Sequence, residues 1–303
     1  SFPPSFLKTV WYGAGRLHIE SLMPKVDVFH AWEELIPPTY KTPVVATIHD
    51  LALFKFEEIA HPKTKEKHTL ALQRLLKTNA HLIAVSQQTK RDLLELFSFP
   101  EDHVHVVPEA VPSEIVFSQD KLLPLSELKK KFGLVKPFFL WVGVNEPRKN
   151  LAKAILAWER YARDYDFVIV GSAGTSDLKP KQGLKVLGGV GMIDLASLYQ
   201  NAQLLLFPSL YEGFGLPILE AYNYRCPVVT SNTSAMIETS GDAAFLVTPS
   251  EVDSIQAGIE EALAKGKLPK MQKKMREVVR SFSWAKSAQL TMDVYRKAKF
   301  ERA

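Results

Sequence analysis

The sequence predicts an α/β protein made of two Rossmann-like, parallel-sheet domains, and three observations carry that prediction. Short apolar runs alternate with helical patterns along the chain, the order expected of βαβ units. The alternation pauses at a linker holding Pro112 and Pro124 and then restarts. A length of 303 residues, of which 46% are apolar, suits two cores at about 150 residues per domain.

The elements follow in order. Val26 to Phe29, Val44 to Ile48, Leu82 to Val85 and Val104 to Val107 read as strands, with a long helix over about 62–79 between the second and third. A short basic helix over 126–132 follows the linker. Strands then recur at Phe138 to Val142, Phe167 to Val170, Leu184 to Leu187, Leu204 to Phe207, Val228 to Thr230 and Ala244 to Val247, a complete doubly wound set. Most of these runs are apolar without alternation, as strands covered on both faces must be. Ser283 is placed to cap a last helix with Ala288, Met292 and Tyr295 along one side. The expected divisions are 1–117, 118–282 and 283–303.

Composition excludes more than it assigns. The single cysteine, Cys226, rules out a disulfide framework and fits a reducing, cytoplasmic setting. It lies in a helix-to-strand connection, where a buried structural thiol is expected rather than a nucleophile. No run of eighteen apolar residues and no leader pattern occurs, so a soluble chain is expected. Net charge is +5. The clusters Lys63-Lys65-Lys67, Arg74-Lys77 and Lys129-Lys130-Lys131 read first as a solvated basic face; the alternative is peripheral contact with an anionic membrane or acceptor. No nucleic acid is expected as a partner. The histidines other than His49 (His18, His30, His61, His68, His81, His103 and His105) share no metal-ligand spacing and are expected to be structural or solvent-facing.

The chemistry concentrates in Tyr211-Glu212-Gly213-Phe214-Gly215-Leu216-Pro217-Ile218-Leu219-Glu220. An apolar strand precedes it and Pro217 suits a first helical turn, so a helix should start near Gly215. Unpaired N–H groups and the positive dipole end there suit a phosphate, and Gly213 and Gly215 permit close approach. Glu212 and Glu220 sit at different depths along one loop and helix, which argues against a hydrolytic carboxylate pair. Taken alone, the spacing is equally that of two ordinary surface glutamates. A second segment, Gly143-Val144-Asn145-Glu146-Pro147-Arg148-Lys149-Asn150, puts two cations at the carboxyl edge of the second sheet, where open α/β sheets bind ligands. Arg148 and Lys149 could neutralise a departing diphosphate without an obligatory metal; the plainer reading is a solvated pair before a helix capped by Asn150. Gly171 follows a strand and is expected to line the same crevice. His49 stands at a strand's end in the first half, Asp50 is expected to steady the next loop, and Ser86 to cap a helix.

Four ordered segments resemble the group 1 (family 4) glycosyltransferases, retaining enzymes of the GT-B fold. They are Phe207 to Pro217 with Glu220-Ala221, Val142 to Asn150, Thr47-Ile48-His49-Asp50, and Ala84 to Lys90. Four motifs in order are far more specific than one glycine loop. The resemblance implies two such domains facing across a cleft that holds the site, with the last helix crossing back onto the first domain. It implies that Glu212 and His49 meet the donor sugar, that backbone N–H groups of Phe214, Gly215 and Leu216 meet hydroxyl or phosphate oxygens, that Glu220 holds both ribose hydroxyls, and that Val190 offers a backbone contact to the base. Gly143, Arg148, Lys149 and Gly213 complete the expected donor site.

The reaction implied is transfer of a hexose from a nucleoside diphosphate sugar to a hydroxyl of a glycan or lipid-linked acceptor with retention. The motifs are most like those of mannosyltransferases acting on polysaccharides or glycolipids, which puts GDP-mannose first as donor and a UDP-sugar second. Two departures qualify this. Val144 stands where family members often carry a basic residue. Only twenty-six residues precede Asp27, Ser1 to Ser5 among them, so the first domain is expected to lack its opening strand and glycine-rich turn. A catalytically silent nucleotide-binding module is therefore the alternative function. A nicotinamide dehydrogenase is disfavoured by the absence of a G-x-G-x-x-G turn.

Overall fold

A computed structural model describes residues 11, 18–23, 25–32, 36–56, 61–117, 119–171 and 181–301. The opening Ser1 to Ser5 lie outside them. The chain divides into two compact units, residues 1–108 with 284–303, and residues 109–283.

In the first unit, strands β1 (Phe29–Trp32), β2 (Val44–Ile48), β3 (His81–Ala84) and β4 (Val104–Val106) form a parallel sheet in that order. β1 begins three residues later than Val26. The reason is its register against β2: the Phe29 N–H donates to the Pro43 carbonyl at 2.9 Å, and pairing proceeds from Phe29 opposite Val44. Alternate residues face opposite ways along a strand, which divides the core in two. Val44, Ala46, Leu82 and Ala84 pack with Ala71, Leu72 and Leu75 of the helix Pro62–Lys77. Val45, Ile83 and Val107 pack with Val294 and Ala298 of the terminal helix Trp284–Phe300.

That terminal helix has the expected period with a different phase. Ser287, Val294 and Ala298 are buried, whereas Ala288 and Met292 face solvent. Small and apolar residues occur on more than one side of this helix, so the pattern alone did not single out the docking side. Its far end meets a group the spacing of the histidines conceals. Leu82 pairs with Val104, so His81 and His103 stand side by side one residue earlier, and Ile83 pairs with His105. The rings of His81 and His103 stack at 4.2 Å, and both Nε2 atoms meet Glu301 Oε2, at 3.1 and 3.3 Å. His81 Nδ1 meets His105 Nε2 at 3.0 Å. The expectation that the histidines share no metal-ligand arrangement is corrected here: neighbouring strands bring His81 and His103 together with Glu301 within ligand distance of one another.

In the second unit, β5 (Phe138–Val142), β6 (Asp166–Val170), β7 (Leu184–Gly188), β8 (Leu204–Phe207), β9 (Val228–Ser231) and β10 (Phe245–Val247) form a parallel sheet. Its order is β10-β9-β8-β5-β6-β7. From β5 the chain builds outward through β6 and β7, then returns to the other side of β5 for β8. The β5–β8 pair is thus the topological switch point, where the connections leave in opposite directions and open a crevice at the carboxyl ends. Phe139, Trp141, Phe167, Ile169, Leu204 and Leu206 fill one face of this sheet against helices Leu151–Glu159 and Val252–Lys265. The segment after Pro108 belongs to this unit, which moves the division forward from residue 117. Tyr224 explains it: its hydroxyl accepts from the Phe117 N–H at 3.1 Å and donates to the Ile115 carbonyl.

Candidate functional site

The two loops at the switch point carry the predicted charges, and they meet. After β5 the chain passes through Gly143 into a 3-10 turn, Pro147–Lys149, and then the helix Leu151–Glu159. After β8 it passes through Pro208 to Gly215 into the helix Leu216–Asn223. The Leu210 N–H donates to the Arg148 carbonyl at 2.7 Å, which joins the loops directly. Asn150 joins them again. Its backbone is left-handed, with φ of 56°, and its buried amide donates to the carbonyls of Pro208 and Pro249 at 3.0 and 2.8 Å. The expected N-cap hydrogen bond is absent, because the side chain is committed to these carbonyls instead.

Three predicted side chains form one cluster. Lys149 Nζ donates to Glu212 Oε1 and Oε2 at 2.6 and 2.8 Å, and Arg148 Nη1 donates to Oε2 at 3.0 Å. Arg148 also donates through Nε to Glu146 Oε2 at 2.9 Å and through Nη1 to the Tyr211 carbonyl at 3.3 Å. Glu212 is 6% exposed. Such a buried carboxylate requires charge compensation. The sequence separated the cations and Glu212 by role, whereas the fold makes them partners. Two cations and two carboxylates leave the cluster formally neutral, so an entering anion competes with Glu212 for Arg148 and Lys149. Val144, beside them in sequence, is exposed and adds no charge.

The Glu212 loop is held from below. Ser234 Oγ donates to the Glu212 carbonyl at 2.8 Å and accepts from the Glu212 N–H at 3.2 Å. Ser231 Oγ donates to the Ser209 carbonyl, and Thr239 Oγ1 donates to the Phe214 carbonyl at 2.6 Å. Gly213 and Phe214 are buried, and the Phe214 ring meets Phe282 edge-on. Gly215 takes φ of 96°, a left-handed value that puts a helix start where the sequence placed it, with Pro217 in the first turn. Among the described residues, no recorded backbone acceptor takes the N–H groups of Phe214, Gly215 or Leu216. They remain available to an anion or hydroxyl at the helix start.

Glu220 lies farther along that helix and is apart from the cation cluster. Its Oε2 accepts the hydroxyl of Tyr199 at 2.8 Å. Burial raises the Glu220 carboxyl above the usual range, and the Tyr199 hydrogen bond draws it back. Tyr199 is fully buried, and burial drives its phenol well upward. Sequence reasoning missed Tyr199 because it sits within the helix Met192–Asn201 among residues that read as ordinary core. It missed Ser231, Ser234 and Thr239 for a similar reason, since their role is visible only once β9 is beside β8.

The remaining donor-site candidates occupy the same carboxyl edge. Gly143 ends β5, its N–H donating to the Val170 carbonyl at 3.0 Å. At Gly171 a Cβ would stand 2.0 Å from the Gly143 oxygen, so the close approach of the two strand ends requires glycine there. Val190 is half-buried in the bend between β7 and the helix Met192–Asn201. Cys226 is buried, its thiol pushed up by burial to about 12, which suits a structural thiol.

His49 belongs to the first unit. It follows β2, is exposed, and lines a cavity of about 260 Å³ with Thr47, Asp50, Phe54, His68 and Leu72. Asp50 Oδ1 accepts from the Ala52 N–H at 2.9 Å, the loop-steadying role expected of it. Ser86 Oγ accepts from the Thr89 N–H at 3.0 Å as a helix cap, and Thr89 in turn reaches the His49 carbonyl at 3.5 Å.

With this geometry in place, comparison with known proteins is specific. The family described as "Glycosyl transferases group 1" matches residues 126–281, and that described as "Glycosyltransferase Family 4" matches residues 1–114. The chain is similar to the O-antigen chain mannosyltransferase B of Escherichia coli, 29% identical over 276 residues, spanning 83% of this chain and 70% of that one. It is 28% identical over 268 residues to the serotype-specific mannosyltransferase WbdA of Escherichia coli, covering 82% of this chain and a third of WbdA, or 33%. Among solved structures it is similar to the sucrose-phosphate synthase of Thermosynechococcus elongatus, with a TM-score of 0.71, 21% identity and coverage of 97% of this chain and 77% of that one. That likeness concerns the fold, which is GT-B with two parallel-sheet units. The switch-point cluster lies inside the segment matched by the first family, and the chain belongs to the group 1 glycosyl transferases.

Proposed function

We propose that this glycosyltransferase moves a hexose, mannose in the first instance, from a nucleoside diphosphate sugar to a hydroxyl of a glycan or lipid-linked acceptor with the anomeric configuration retained. GDP-mannose is the first donor on this reading and a UDP-sugar the second. The observation that carries it is the convergence of Arg148, Lys149 and Glu212 at the switch point beside the helix start at Gly215. Mannosyltransferases among the relatives support the choice of sugar.

The diphosphate would take Arg148 and Lys149 together with the open N–H groups of Phe214, Gly215 and Leu216, which offset charge as the C–O bond to the leaving group breaks. The released Glu212 carboxylate would accept hydrogen bonds from sugar hydroxyls, and His49 is assigned to the donor sugar. Glu220 would accept the ribose hydroxyls, with Gly143 and Val190 bordering the nucleotide. The leaving diphosphate oxygen takes the acceptor proton on the face it departs from, so the new C–O bond forms on that face. No obligatory metal enters this scheme, because the cations do the neutralising. The basic helix Pro62–Lys77 leaves peripheral contact with an anionic membrane as a subsidiary proposal; no helix among the described residues is long and apolar enough to cross one.

The test is an incubation of the chain with GDP-mannose, UDP-glucose or UDP-N-acetylglucosamine and mannose-terminated or isoprenoid-linked acceptors. Nucleoside diphosphate release and the anomeric proton of the product are measured by NMR. Transfer from GDP-mannose with an α-linked product is expected. An inverted product would overturn the retaining mechanism, and tight nucleotide binding without turnover on any donor would favour the silent module.

A further inference from the structure

The Tyr199–Glu220 pair offers more than the ribose contact assigned to Glu220 alone. A carboxylate that grips a vicinal diol must present a fixed edge, since each hydroxyl needs its own lone pair at hydrogen-bond distance. Glu220 Oε2 is anchored by Tyr199 at 2.8 Å, and Oε1 has no recorded hydrogen-bond partner among the described residues. No Lys or Arg is paired with this carboxylate among those residues; Tyr199 is the polar contact recorded for it. The anchor itself cannot swing. Tyr199 is fully buried within the unit that carries Glu220, burial drives its phenol well upward, and its hydroxyl donates to Glu220 Oε2.

We propose that Tyr199 is a positioning residue that holds the Glu220 carboxylate edge toward the 2′- and 3′-hydroxyls of the bound nucleotide, making the site selective for ribo- over 2′-deoxyribonucleotides. This rests on the reading above that Glu220 meets the ribose. Oε2 retains a second lone pair after accepting from Tyr199, and Oε1 retains both, so the edge can accept two hydroxyls. Without the phenol the carboxylate is free to rotate and its burial is less compensated, so it binds the diol less well and takes up a proton at higher pH. Nothing about the diphosphate or base contacts changes.

Isothermal titration of the full chain with GDP, UDP and their 2′-deoxy counterparts tests this, using the wild type, Tyr199→Phe and Glu220→Gln. The wild type is expected to prefer the ribonucleotide. Tyr199→Phe removes one hydroxyl and keeps the ring, so the core packing survives. It should weaken the ribonucleotide about tenfold and the 2′-deoxynucleotide, which keeps only the 3′-hydroxyl, distinctly less, which narrows the preference. The ribonucleotide affinity of Tyr199→Phe should also fall off at higher pH than that of the wild type. Equal loss for both nucleotides, or no loss for either, would overturn the positioning role. Glu220→Gln separates the two levels of inference. If that variant keeps the wild-type preference, Glu220 is away from the ribose and the underlying assignment fails. If it loses the preference while Tyr199→Phe keeps it, the assignment stands and the role of Tyr199 fails. Should Tyr199→Phe not fold, Tyr199→Met with the same two nucleotides replaces it, and the same ratio decides.

Discussion

Glu212 shows how a residue picked out by spacing acquires a role that spacing does not contain. It occupies the anion position between Lys149 and Arg148, with contacts at 2.6 to 3.0 Å, inside a cluster that is formally neutral. On the proposed reading, a diphosphate would displace the Glu212 carboxylate from the two cations. Glu212→Gln should lower the thermal stability, since leaving two cations short of a buried partner costs about 3–5 kcal/mol. The same variant should bind GDP or UDP about tenfold more tightly by calorimetry, because the ligand no longer competes, and should lose transfer activity. Unchanged nucleotide affinity would show that Glu212 does not compete for the phosphate position. From sequence, the residue types and their loops were legible, because a strand, a glycine turn and a Pro-started helix leave distinctive residues. Their mutual pairing was not, since Lys149 and Glu212 are 63 positions apart and meet only because β8 returns to lie beside β5. Asn150 makes the same point: its type and position suit a cap, yet two backbone carbonyls from distant segments claim its amide.

Strands and helices were the most legible level, because parallel strands buried on both faces must be continuously apolar. β2, β5 and β8 begin and end where the sequence set them. β1 slipped by three residues because its start is set by Pro43, the residue just before the neighbouring strand. The histidine group at the end of the terminal helix was invisible for the same reason, and it carries a pH prediction. Burial first, and then neighbouring positive charge, lowers His105 from 6.5 to about 4; burial also leads the lowering of His81. Lys90, Lys297 and His103 face them as cations or potential cations, and Glu301 as the opposing acid. The unfolded chain binds these protons near pH 6.5 and the folded one only at lower pH, so stability falls as pH drops from about 6.5 towards 4. Thermal unfolding across that range should show a declining midpoint for the first unit. His105→Gln, which keeps a polar partner for His81, should flatten the decline. An equally steep decline in that variant would place the acid sensitivity elsewhere.

At the scale of the whole molecule, the chain crosses from the first unit to the second near Pro108 and returns at Trp284, so the second unit is one continuous segment and the first is not. This has unequal consequences. The first unit covers Val45, Ile83 and Val107 with Val294 and Ala298, which arrive from the far end of the sequence. The second owns its sheet, both site loops and the tether from Tyr224 to Ile115 and Phe117, all within residues 109–283. Among the described residues, the core that packs β5, β6 and β8 on helices Leu151–Glu159 and Val252–Lys265 is drawn from that segment. A chain of residues 109–283 should therefore fold cooperatively and, on the proposed reading, bind GDP or UDP within a few-fold of the full chain while catalysing no transfer, since that reading gives His49 of the first unit to the donor sugar. A chain of residues 1–108 should expose the apolar sheet face and aggregate, and adding residues 284–303 through a short linker should restore its solubility. Calorimetry on the first fragment and sedimentation on the other two supply the measurements. If the 109–283 fragment folds but its nucleotide affinity falls a hundredfold or more, the diphosphate is not held chiefly by Arg148, Lys149 and the Gly215 helix start, and that assignment of the donor site fails.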